Sequence, residues 1–242
     1  MDKKNNNSIN QIKKNKVLML EYAEKLINQG ALIIDPERID IRGELICGKN
    51  VVIDINVIFE GKVVLKDNVS IGANCILIDS TVDENSSIRP FSLIEGAVIG
   101  KNSFVGPFGR IRHGSVLDDF VQIGNFVEVK NSTIMKNVNA HHLSFIGDAH
   151  IESGVTIGAG TITCNHDGLK NNQTFIGKGA YIGSGSNLIA PIKIGNNATI
   201  AAGSTLNNDA PEDKLTIARS RQTTVDEWQN PKKKFDDTKE KG

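Results

Sequence analysis

The 242 residues carry 28 basic and 28 acidic side chains, and this zero formal charge gives no electrostatic ground for a nucleic-acid or anionic-membrane partner. No stretch approaches the roughly 20 apolar residues of a membrane span, and the opening Met-Asp-Lys-Lys-Asn lacks the apolar core of a signal peptide. Three cysteines, Cys47, Cys75 and Cys164, lie far apart without CxxC spacing and read as reduced thiols of a cytoplasmic protein.

In chain order, residues 1–8 are polar and Asn-rich and read as a disordered tail. From Ile9 to Gln29 the apolar positions Ile12, Val17, Leu18, Leu20, Ala23, Leu26 and Ile27 recur at helical spacing, and Gly30 suits a C-terminal stop. Residues 9–44 therefore read as an N-terminal helix and cap. A hexapeptide rhythm begins weakly at Leu45, running through Ile53, Phe59, Leu65, Ile71 and Leu77. It loosens at Thr81-Val82-Asp83, which implies either a register shift or a bulge. It is strictest at Ile99, Val105, Ile111, Leu117, Ile123, Val129 and Met135, and it returns at Ile176, Ile182, Leu188, Ile194, Ile200 and Leu206.

A fixed period of six with Gly, Asn and Asp at the corners predicts an all-β fold. Short parallel strands stack three to a coil into a β-helix over 45–210, with residues eighteen apart directly above one another. Ile157 and Ile182 lie twenty-five apart where one turn needs eighteen, so the segment 163–173 is extruded as a loop. After Leu206 the pattern stops, and residues 211–242, with Pro211, Pro231 and Lys232-Lys233-Lys234, read as an irregular basic tail.

This map places chemistry together. Arg112 and Lys130 are eighteen apart, each just after a rung aliphatic. They form either an anion clamp or two cations that point separately to water or pair with Glu128 and Asp148. His142, in the pair His141-His142, lies twelve residues beyond Lys130 on the same winding and suits a proton acceptor. Ala159, Ser184 and Ala202 all sit second after a rung aliphatic. They mark a shallow groove for an extended ligand or merely a crowded corner. The five histidines offer no pair five residues apart, which argues against a zinc site of the γ-carbonic-anhydrase kind, so no metal is expected.

Gly106-Pro107-Phe108, Arg110-Ile111-Arg112, Gly124-Asn125-Phe126-Val127-Glu128, Gly158-Ala159-Gly160-Thr161-Ile162-Thr163-Cys164-Asn165 and Ala218-Arg219-Ser220 resemble the C-terminal acetyltransferase domain of the bacterial GlmU family, from about Tyr22 to Lys234. The resemblance implies a left-handed parallel β-helix, a homotrimer with sites at subunit junctions, and acetyl transfer from acetyl-CoA to the 2-amino group of glucosamine 1-phosphate. By position it makes His142 the general base and Arg112 and Lys130 the phosphate ligands. It lines the acetyl-CoA groove with Ala159, Asn165, Ser184, Ala202 and Arg219.

Three positions depart from the family pattern. Phe145 replaces a Tyr and Thr156 an Asn, both sugar contacts, and His166 replaces a Tyr in the loop. These departures question the acceptor. The alternatives are another amino sugar, a nucleotide-linked amino sugar, or an idle trimeric scaffold that binds sugar phosphates. No Gly-rich nucleotide loop precedes the helix, so no uridylyl transfer is expected of these residues.

Overall fold

The computed structural model describes residues 2–228, with side chains from residue 10 onward. The chain winds as a parallel β-helix with three faces. The first face is an eleven-stranded sheet running from Leu32–Ile33 to Leu215–Thr216. The second and third faces join into a seventeen-stranded sheet, because Asp40–Cys47 and Ile58–Leu65 run unbroken through a corner in continuous parallel register.

The core is a column of rung side chains. On the first face Ile53, Ile71, Ile88, Val105, Ile123, Ala140 and Ile157 are all buried, and the other faces are filled likewise. Burying each large aliphatic contributes roughly 1.5–3 kcal/mol. Corner carbonyls left over by the turns are met by buried hydroxyls; Ser144 Oγ, for example, donates to the His142 carbonyl at 2.9 Å.

The structure corrects several boundaries. Helix α1 spans Asp2–Asn28, so residues 2–8, expected as a tail, continue the helix. Its buried stripe is Met19, Tyr22, Ala23 and Leu26, whereas Ile12, Val17, Leu18 and Ile27 are exposed, because only the i, i+3, i+4, i+7 set faces the coil. Gly30, at φ 104°, closes the helix as its spacing predicts. Gly30 N–H donates to Ile27 O and Ala31 N–H to Leu26 O, the paired bonds of a Schellman stop.

Coiling begins at Leu32–Ile33, not Leu45, since that short strand pairs with Val52–Ile53. At the other end the winding passes Leu206: Ala210 bridges to Ile194, and Leu215–Thr216 pairs with Thr199–Ile200. Part of the expected tail is therefore one more partial coil, while Pro231 and the lysine run lie outside the described residues.

The rhythm itself is not uniform. Leu117 pairs with Ile134, so Ile134 and not Met135 is the rung. Leu77 to Val82, Ile94 to Ile99 and Ile146 to Ile151 are five-residue steps of the same kind, all at the second-to-third corner. There Asp79, Gly96, Asn131 and Asp148 adopt φ of 44–55°, and the left-handed residue closes the corner one residue early. The loosening near Thr81 is thus a register shift. The extruded loop leaves from this same corner, between Thr163 and Ile176.

Candidate functional site

The first-to-second corner carries three residues after each first-face rung. From the lower coils upward they read Arg89-Pro90-Phe91, Gly106-Pro107-Phe108, Gly124-Asn125-Phe126 and His141-His142-Leu143. Above these come Gly158-Ala159-Gly160, Gly183-Ser184-Gly185 and Ala201-Ala202-Gly203. Pro107, Asn125, His142, Ala159, Ser184 and Ala202 therefore form one column.

Above His142, the corner has almost no side chain for three coils. The peptide N–H groups of Ala159, Ser184 and Ala202 take no backbone acceptor among the described residues, whereas the carbonyls of Ala159 and Ser184 accept from Gly185 and Gly203. A row of free donors in a bare groove is built to receive the carbonyl and phosphoryl oxygens of an extended ligand. The Arg219 side chain lies beside Gly203, 3.9 Å from where a Cβ would stand there, and ends the groove on a cation.

His142 stands exposed at the groove's foot. Its Nδ1 lies 2.7 Å from Asn125 Oδ1, one coil below. Nδ1–H thus donates to the amide, and Nε2 has no partner among the described residues. Its backbone is pinned as well, the carbonyl accepting from Ser144 Oγ and from Gly160 N–H. Neighbouring His141 pairs through Nε2 with Gln122 Oε1 at 3.0 Å. Asn125 was not singled out from the sequence, because corner Asn residues are frequent; its place one coil before His142 was the available signal.

Arg112 and Lys130 do stand on adjacent coils of the second face, as Ile111 pairs with Val129. Each has its own carboxylate, Arg112 Nη1 2.8 Å from Glu128 Oε1 and Lys130 Nζ 3.8 Å from Asp148 Oδ2. The separately paired arrangement is therefore the one observed. These cations project from a different column than His142.

Asp148 is buried, accepting from Asn131 Nδ2 at 2.5 Å and also from Asn165 Nδ2. The Asn165 side chain is thereby committed to the corner, and its carbonyl accepts from Asn172 N–H at the loop base. Phe145 sits on the second face between Glu128 and Ile162, its ring lying over Gly147, where a Cβ would meet Cζ at 2.6 Å. Thr156 sits on the first face between Asn139 and Tyr181.

His166 is in the exposed loop, its Nδ1 accepting from Gly168 N–H. Asp167 braces that loop by accepting from Leu169 and Lys170 N–H and from Asn172 Nδ2. These bonds hold its carboxyl well below the usual carboxylate range. Burial pushes the Cys47 and Cys75 thiols up, to about 12 and about 11, which leaves both inert. Among the described residues no three His, Cys, Asp or Glu side chains gather as a metal site, and no helix is long and apolar enough to cross a membrane.

Residues 173–208 match the bacterial transferase hexapeptide model (six repeats), and residues 41–125 match the model of the GMPPB C-terminal domain. The bifunctional protein GlmU of Janthinobacterium sp. (strain Marseille) is 51% identical over 211 residues, 87% of this chain and 47% of that protein. GlmU of Nitrosospira multiformis is 52% identical over 219 residues, 90% of this chain and 48% of the relative. The chain thus carries bacterial transferase hexapeptide repeats and is similar to part of the GlmU proteins. This hexapeptide-repeat chain spans about half the length of the curated relatives it matches. Among solved structures, a UDP-N-acetylglucosamine acyltransferase of Francisella novicida is 21% identical over 78% of this chain and 65% of its own, at a TM-score of 0.30.

Proposed function

We propose that this chain is an acetyl-CoA-dependent N-acetyltransferase acting on the 2-amino group of glucosamine 1-phosphate. The observation that carries the reading is an imidazole with a free Nε2 at the foot of a bare, donor-lined groove. The groove residues Ala159, Ser184 and Ala202, with Arg219 at the far end, would hold acetyl-CoA, which supplies the activated acetyl group. Their peptide N–H groups suit its carbonyl and phosphoryl oxygens and the oxyanion of the tetrahedral intermediate. His142 Nε2 takes the proton that the amine must lose, and Asn125 holds the ring in the tautomer this requires. Alignment of amine and thioester supplies much of the remaining acceleration.

Arg112 and Lys130 would bind the sugar phosphate, with Glu128 and Asp148 setting their orientation. They rise from the second face while His142 stands at the corner, so completion of the site by a neighbouring copy in a homotrimer accounts for both. Phe145 leaves an apolar ring where a hydroxyl would meet the sugar, which favours testing other amino sugars and nucleotide-linked ones beside glucosamine 1-phosphate. We further propose a soluble, cytoplasmic protein, requiring no metal and performing no uridylyl transfer with these residues.

The test is CoA-thiol release with acetyl-CoA and a panel of amino sugars, using wild type and His142→Ala. Release with glucosamine 1-phosphate, falling about 10²- to 10⁴-fold in the variant, supports the reading. Release with no amine at all overturns it in favour of a binding scaffold. Far faster reaction with a nucleotide-linked sugar reassigns the acceptor.

A further inference from the structure

The extruded loop stands on one residue. Its first foot is Asn165, whose Nδ2 donates to Asp148 Oδ2, and its last is Thr174, whose N–H donates to the Asp148 carbonyl at 3.1 Å. On the coil below, Asn131 Nδ2 donates to Asp148 Oδ1 at 2.5 Å, and the Lys130 carbonyl accepts from Asp148 N–H at 3.0 Å. The Lys130 ammonium lies 3.8 Å from Asp148 Oδ2. Asp148 therefore holds both feet of the loop above it and faces the cation below it. The equivalent corner residues are used otherwise: Asp79 accepts from Lys62 N–H, and Gly96 has no side chain.

The Asp148 side chain is only 7% exposed, and a carboxylate can only accept. Both amides are therefore turned with Nδ2 toward it, and a buried charge depends on keeping such donors in place. Lys130 supplies the countercharge. Its ammonium carries three donors and its side chain is 30% exposed, so it can face Asp148 and an anion at once. An anion that fixes the ammonium also fixes the carboxylate, and through it the Asn165 side chain. The Asn165 carbonyl receives Asn172 N–H at 2.7 Å and closes the base of the loop. Cation and loop share the second-to-third corner, with the coil of Asp148 between them.

We propose that Asp148 is a positioning residue that couples Lys130 to the loop 163–173. An anion held by Lys130 tightens the loop, and an ordered loop improves the hold on the anion. The proposal rests on the reading of Lys130 as a ligand for the phosphate of the acceptor. Asp148 touches no substrate; it acts through the ammonium on one side and through Asn165 on the other. Because linked equilibria are reciprocal, the two effects are equal in size.

Amide exchange and binding on the intact chain test it. In wild type, saturating glucosamine 1-phosphate slows exchange of the Asn172 and Thr174 amides about fivefold or more. Asp148→Asn keeps the side-chain shape and tolerates the left-handed corner at φ 49°, but removes the charge. In this variant the same amides exchange faster without ligand and ignore the sugar phosphate, whose Kd rises about five- to fiftyfold. Asn165→Ala cuts only the upper link. There the sugar phosphate still binds, about fivefold more weakly, and the Thr174 amide no longer responds to it. A purely structural role would lower melting temperatures and leave wild-type exchange indifferent to the ligand. Wild-type amides that ignore bound glucosamine 1-phosphate overturn the coupling alone, and an equal response in Asp148→Asn overturns Asp148 as the link. A wild type that binds no sugar phosphate overturns the coupling and the acceptor reading together.

Discussion

In the three coils below His142 the left-handed corner residues between the first and second faces are Phe91, Phe108 and Phe126, at φ of 55–61°; in the three above it they are Gly160, Gly185 and Gly203, at 70–73°. The backbone is nearly the same, so the difference lies in what is hung on it. The rings stack at 5.1 Å intervals, nearly parallel, and form an exposed ladder that fills the corner. The glycines leave it empty beside the free N–H groups of Ala159, Ser184 and Ala202. One repeated turn thus serves as a wall or as a groove, and the imidazole stands where one gives way to the other.

Exchanging the two characters is the most direct way to break the contrast. Gly160→Phe continues the ring ladder into the groove: a Cβ there meets nothing closer than 3.8 Å, and phenylalanine already adopts this conformation three times in the column. We expect a folded protein, destabilised by about 1–2 kcal/mol from left-handed strain, whose KM for acetyl-CoA rises more than about tenfold. Normal acetyl-CoA kinetics in a folded variant would disprove the groove.

The reverse change sharpens it. Phe108→Ala removes two stacked contacts, worth about 0.5–1.5 kcal/mol each. It lowers the melting temperature but leaves acetyl-CoA kinetics unaltered, because the wall carries no ligand. The smallest effect concerns the extruded loop. The lowered pKa of Asp167 means that its bracing is fully present above the ordinary carboxylate value and is lost only as pH falls through the depressed one. Amide exchange of Leu169 and Lys170 should therefore stay slow as pH drops past about 4. In Asp167→Asn it should be fast throughout, and equal exchange in the two proteins would remove Asp167 as the brace.

Much of this architecture was readable from the chain, because a period of six leaves an aliphatic at each buried rung and a turn former at each corner. The reading slipped where two apolar residues adjoin. Ile134 and Met135 both satisfy the pattern, and only the left-handed Asn131 decides that the corner takes five residues. It missed the first coil because Leu32–Ile33 is separated from the repeat by the short 3₁₀ turn Pro36–Arg38 and a strand that passes through its corner unbroken. At the site, the alignment of Ala159, Ser184 and Ala202 followed from counting alone. Asn125 did not, because its significance comes from register with a histidine one coil away, across a seventeen-residue turn that a uniform eighteen blurs.

The lower end of the stack is closed by α1 with few atoms. Tyr22 Oη donates to the Leu45 carbonyl at 3.1 Å and accepts Leu45 N–H at 3.2 Å, while Met19 Sδ accepts Ile41 N–H at 3.1 Å. Two side chains from one helix thus occupy the hydrogen-bonding positions that another strand would seek along Asp40–Cys47. Such an exposed parallel edge would otherwise be a template for end-to-end fibre growth. Two turns of one helix therefore close this end of the solenoid against a further coil.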